Sequence, residues 1–132
     1  MKQYLLHLFV ALTAVFTPVV PMLLTIGVLI VIDFLVGIYR AFKMNEQITS
    51  RKMGNTISKM FLYQLTIISL FLFETYILMS ILPVTKIGAA LISIVEIKSI
   101  SESIEKMTGV AIWKKLVRII KRGESNTKNF LD

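Results

Sequence analysis

Between Lys2 and Asp33 the chain carries no charged side chain for thirty residues. About 20 apolar residues in a helix, rising 1.5 Å each, cross the ~30 Å hydrocarbon core of a bilayer. Inside that core every backbone N–H and C=O must be paired within the protein, so such a run folds as helix. A second block, Met60 to Pro83, holds one charge, Glu74. With 55% hydrophobic residues in 132, the chain is too apolar for a soluble domain of its length. The expected class is an all-α integral membrane protein.

Residues 4–17 form an apolar helix of about 21 Å, either a short span or a helix lying in the interface. The start "MKQYLLHLFVALTA" also has the make-up of a signal peptide, although an uncleaved membrane helix is the expectation. "TPVVP" then interrupts the run, because two prolines three apart break or kink a helix. The first full span is 19–39, with Pro21 tolerated in its first turn. Residues 40–59 carry Arg40, Lys43, Arg51, Lys52 and Lys59 against Glu46 alone, which makes this loop cytoplasmic by the positive-inside rule. Thr49 or Ser50 is placed to cap the next helix, which continues into a second span at 60–82. "PVTK" at 83–86 reads as a tight external turn. The basic residues after Lys106 put the C-terminus back in the cytoplasm, so 87–106 must be a third span. The chain thus divides into a transmembrane domain, 1–109, and a cytoplasmic tail, 110–132.

In "VAIWKKLVRIIKR", 110–122, a helical wheel gathers Lys114, Lys115, Arg118, Lys121 and Arg122 into an arc of roughly 120°. Apolar residues and Trp113 fill the opposite half. Such a helix suits an anionic inner leaflet; a partner protein is the alternative. "GESNTKNFLD" reads as a frayed end. The net charge of +7 therefore points to the lipid surface rather than to nucleic acid. Without cysteine and with His7 as the only histidine, thiolate chemistry and multi-histidine metal sites are excluded. No phosphate loop, Ser-His-Asp set or HExxH is present, so neither enzyme activity nor a cofactor is expected.

Ionisable groups within spans cost about 2.5 to 3.5 kcal/mol on insertion scales and usually face a partner or water. Four stand here: Asp33, Glu74, Glu96 and Lys98. Counted from the outer helix ends, Glu74 and Glu96 lie about 12 and 15 Å deep, and Lys98 and Asp33 about 18 and 21 Å. An Asp33–Lys98 pair between helices therefore competes with a local Lys98–Glu102 pair at i, i+4 and with Lys98 snorkelling toward the inner surface. Glu74 and Glu96 have no base at their level and are expected to be protonated or wetted by a lumen. On the third span Ala89, Ser93, Glu96, Ser99 and Ser103 share an arc of about 120°. That face serves either tight helix packing or a water-filled lumen, and both favour self-assembly.

Three stretches occur in order: "IDFLVGIYRAF" (32–42), "SRKMGNTISK" (50–59) and "VEIKSISESIEKMTGV" (95–110). They resemble bacteriophage holins of the toxin-secretion and phage-lysis type. The likeness runs through Asp33 and Gly37, then Ser50, Lys52, Gly54 and Lys59, then Glu96, Ser99, Ile100, Glu102 and Gly109, and covers 33–122. The resemblance implies a phage or prophage protein of the bacterial cytoplasmic membrane. Such a protein homo-oligomerises and opens lesions through which endolysin reaches the cell wall. A small ion-coupled transporter subunit using Glu74 and Glu96, or a structural subunit of a membrane complex, are the alternatives.

Overall fold

The structure is a computed structural model that describes the backbone of residues 1–131 and the side chains of residues 1–123. Its elements are α1 (Lys2–Phe16), a 3-10 turn (Thr17–Val19), α2 (Val20–Lys43), α3 (Ser50–Tyr76), α4 (Val84–Thr108) and α5 (Ile112–Leu131). Among the described residues there is no strand, as the apolar runs require.

The two prolines do not separate α1 from α2. Pro18 sits inside the 3-10 turn and Pro21 in the first turn of α2. There the missing N–H costs least. Phe16 (φ −90°, ψ −8°) and Val19 (φ −94°, ψ −15°) keep right-handed backbone through the junction. Lys2–Lys43 is therefore one run of 42 residues, about 63 Å of helix and roughly twice the hydrocarbon thickness. No residue of α1 is buried. It meets the rest of the protein at its end, where the Phe16 ring lies 6.2 Å from that of Phe71.

The helices α2, α3 and α4 form a bundle in which α2 and α4 pack most extensively and α3 closes the third side. The buried core is small: Val19, Ile26, Ile30, Ile67 and Ala89, flanked by Met22, Leu23, Leu70 and Ile92. Outside it, Leu24, Val28, Leu35, Phe61, Leu62, Leu65, Leu91 and Val95 are all exposed. Helices that are apolar outside as well as inside belong in hydrocarbon. Lys2–Lys43 and Ser50–Tyr76 are long and apolar enough to cross a membrane. The more charged α4 does not meet that measure.

Several element boundaries differ from the sequence reading. The start of α3 does not: it begins at Ser50, with Thr49 capping it as expected, its hydroxyl accepting the Lys52 N–H at 3.4 Å. It ends at Tyr76, and residues 77–83 make the turn, with Met79 (φ 48°) and Ser80 (φ 57°) left-handed. "PVTK" is thus not the turn: Val84, Thr85 and Lys86 are already in α4. Gly109 ends α4 at φ 70°, its N–H bonded to the Glu105 carbonyl at 2.8 Å. That left-handed cap favours glycine and turns the chain into α5, which packs on α4. The backbone is helical to Leu131. Asp132 and the side chains after Gly123 lie outside the described residues.

At Gly88 α4 is packed closely against α3: a Cβ there would run into Leu70 Cδ1 and touch Ile67. Gly88→Ala should be absorbed by a shift of the Leu70 tip. Gly88→Val adds branched bulk to a closed contact and should destabilise the bundle by about 1–3 kcal/mol. Thermal unfolding in detergent measures both; a Val variant as stable as the parent would mean that the helices are further apart than described.

Candidate functional site: a charged cluster between three helices

Lys59 lies nine residues into α3, which lifts it about 14 Å from the helix start and into the bundle. Asp33 lies ten residues before the end of α2 and Glu96 twelve before the end of α4. All three ends are at the same side of the bundle, so the three groups come to nearly one level. The ammonium of Lys59 is 2.8 Å from Glu96 Oε2 and 3.2 Å from Asp33 Oδ2. One cation thus ties two carboxylates, and with them all three helices. Glu96 is 0% exposed, against 18% for the Asp33 side chain and 29% for that of Lys59.

The Asp33 contact has hydrogen-bond geometry, with Lys59 donating. The Glu96 contact is short in charge separation but poorly aligned, and neither Glu96 oxygen has a well-formed hydrogen bond. Tyr63, one turn after Lys59 on the same face of α3, adds its hydroxyl to the electrostatics around Glu96. One residue on, the Gln64 amide donates to the Leu23 carbonyl of α2 at 2.9 Å. A Cβ at Gly27 would make ordinary contact with that amide, 3.4 Å from Gln64 Nε2.

A second polar layer lies between the cluster and the α2–α3 loop. Arg40 donates to the Ser103 hydroxyl at 3.3 Å and stands 3.6 Å from Glu46, which is 3.8 Å from Lys52. Lys43 donates to the Met107 carbonyl at 3.1 Å, so a cation meets the negative end of α4. A cavity of about 170 Å³ opens in this layer, lined by Asp33, Gly37, Arg40, Lys52, Thr56, Ser99 and Ser103 among others. It connects the carboxylate of Asp33 with the loop end of the bundle.

Three expectations about charges are corrected. Asp33 pairs with Lys59 rather than with Lys98, and Lys98 takes the local partner, Glu102, at 3.7 Å. Glu96 does have a base at its level, because Lys59 belongs to a helix and not to a loop. Glu74 and Glu96 do not share a level. Glu74 is two residues from the end of α3, and its Oε2 accepts the Thr85 N–H at 2.7 Å, capping α4. Eleven residues of α4, about 17 Å, separate Thr85 from Glu96.

On α4, Glu96 and Ser103 are buried while Ser93 and Ser99 are half-buried. Ser93 donates back to Ala89 at 2.8 Å. This polar face therefore turns toward α2 and α3 of its own chain. Gly37 has open space about it rather than a tight helix contact. On α5, Lys114, Lys115, Arg118, Lys121 and Arg122 are exposed. Sequence reasoning missed Tyr63, Gln64, Arg40 and the bundling role of Lys59; the Thr49 cap was the signal that could have placed them.

The family model described as the bacteriophage holin family matches residues 10–123. No curated protein and no solved structure matches the chain.

Lys59→Met would leave Glu96 buried without its counter-charge. Removing one partner of a buried pair costs about 3–5 kcal/mol, whereas replacing the whole group is close to neutral. Lys59→Met should therefore lower the unfolding midpoint in detergent sharply. The triple variant Asp33→Asn, Lys59→Met, Glu96→Gln should recover most of the loss. Equal stability of the single variant and the parent would contradict the cluster.

Proposed function

The chain belongs to the bacteriophage holin family, and we propose that it permeabilises the bacterial cytoplasmic membrane by homo-oligomerising, so that endolysin reaches the cell wall and the host lyses. The observation that carries this reading is the disposition of α4. Its serines and Glu96 turn inward, against Lys59 and Asp33, while its opposite face presents exposed Leu91, Ile94 and Val95. A monomer of this kind can accumulate in lipid with its polar surface covered. If α4 turns or parts from α3, the same surface becomes the wall of an aqueous lesion shared by several copies. Water then solvates the charges that Lys59 had compensated, which offsets the loss of the intrachain contacts.

In this reading α2, α3 and α4 each cross the membrane, and the basic α2–α3 loop and α5 lie on the cytoplasmic side. The extra charges of α4 are no obstacle, since Glu96 is paired inside the bundle and Lys98 and Glu102 pair with each other toward the cytoplasmic end. On α5 Leu116, Ile119 and Ile120 are exposed beside the basic arc. That supports a helix resting on an anionic inner leaflet and needs no nucleic acid. A proton site made of Glu74 and Glu96 has lost its geometry, because the two carboxylates belong to different ends of the bundle.

Induced expression should stop respiration and release a co-expressed endolysin within the same culture. Cells that remain energised with the protein abundant in their membranes would contradict the proposal.

A further inference from the structure

The cavity beside the cluster is not explained by lesion formation. Its volume of about 170 Å³ is room for several water molecules. It lies among the last turns of α2, the first turns of α3 and the facing part of α4. For helices that span, that is the depth of the lipid headgroups, whichever side of the membrane it faces. One part of its wall is apolar, with Phe34, Ile38, Ile48 and Met53, and the other is polar.

The polar wall carries two cations, Arg40 and Lys52, beside the hydroxyls of Thr56, Ser99 and Ser103. Its two nearby carboxylates are already engaged, Asp33 with Lys59 and Glu46 with Arg40 and Lys52. The donors are not. The buried Nε of Arg40 has no hydrogen-bond partner. Both contacts of Glu46, 3.6 and 3.8 Å, are longer than a well-formed charge-assisted bond. Glu46 is 37% exposed at its side chain and sits in the loop beside Asn45, whose φ is 53°. It occupies the place between guanidinium and ammonium that a stronger anion would take. A guanidinium favours planar oxygen pairs such as those of phosphate.

We propose that this cavity holds the phosphate of an anionic phospholipid headgroup between Arg40 and Lys52, in competition with Glu46, with the diacyl side of the lipid toward Phe34 and Met53. The inference rests on α2 and α3 spanning the membrane, and otherwise not on lysis.

The test is native mass spectrometry of the full chain in detergent with short-chain phosphatidylglycerol, short-chain phosphatidylcholine and inorganic phosphate as probes. Phosphatidylglycerol should bind about tenfold or more tightly than phosphatidylcholine, and Arg40→Gln should remove that preference. Glu46→Gln should strengthen it, a gain that no folding defect can imitate. Inorganic phosphate should compete only at far higher concentration. The proposal falls if Glu46→Gln leaves binding unchanged or weaker. It also falls if the two lipids bind alike, or if inorganic phosphate binds as well as phosphatidylglycerol. A chain that lyses cells yet shows no lipid preference would overturn this inference and leave the holin reading standing.

Discussion

Lys59 reaches two carboxylates on two other helices, and the arrangement of the bundle follows from that reach. A carboxylate at the depth of Glu96 is costly in hydrocarbon unless a counter-charge meets it. Lys98 is equally deep but faces outward to Glu102, so the cation that meets Glu96 comes from α3, which lies against α4 with its Lys59 face inward. Asp33 then fixes α2 to the same ammonium. The net gain in stability from such a group is small, since desolvation consumes most of the attraction. Its value lies in register: with three charges at one level, a helix shifted by a turn leaves an ion unpaired. Around this point the neutral contacts agree. Gln64 bonds to α2 one turn on, and Gly88 lets α3 and α4 close above.

The helix α4 is built as a compromise between two environments. Toward its own chain it offers Ala89, Ser93, Glu96 and Ser103; outward it offers leucine, isoleucine and valine. Its first turn is capped by Glu74 from α3 and its last by Gly109 and Lys43. Both ends are thus held by contacts that do not involve the polar face. Both caps come from neighbouring helices, so a turn of α4 about its axis can keep them, whereas separation from α3 would break the Glu74 cap. The apolar α1, with no buried residue, extends the α2 run well beyond one membrane thickness and adds exposed apolar surface.

Much of this was legible in the residues. The charge-free run, the helical period of α5 and the small-residue face of α4 each led to the right kind of element, and Thr49 was placed correctly as a cap. The local Lys98–Glu102 pair was one of the two pairings weighed, but the pairing of the buried charges was not legible. Counting depths from assumed outer ends put Glu74 beside Glu96 and Asp33 beside Lys98. The turn actually begins at residue 77, so Glu74 is a capping group at the rim. Counting instead from the Thr49 cap places Lys59 about 14 Å inside, level with Asp33 and Glu96. The positive-inside pattern hid this, because it scores lysines by their neighbourhood and takes no account of where a helix starts. The continuity of α1 with α2 was also illegible, since two prolines break most helices and here fall in the tight turn and first turn that tolerate them.

The central claim is that the α4 face now turned against Lys59 becomes the surface of the lesion. The chain has no cysteine, so single thiols report without background. Ala89, 9% exposed, and Leu91, 61% exposed, stand on different faces of α4 and can each be replaced by Cys. A charged, membrane-impermeant thiol reagent should leave Ala89→Cys unlabelled before lesions open and label it rapidly afterwards, with Leu91→Cys protected by lipid or protein throughout. Lesions that open while Ala89→Cys stays protected and Leu91→Cys becomes labelled would contradict the account.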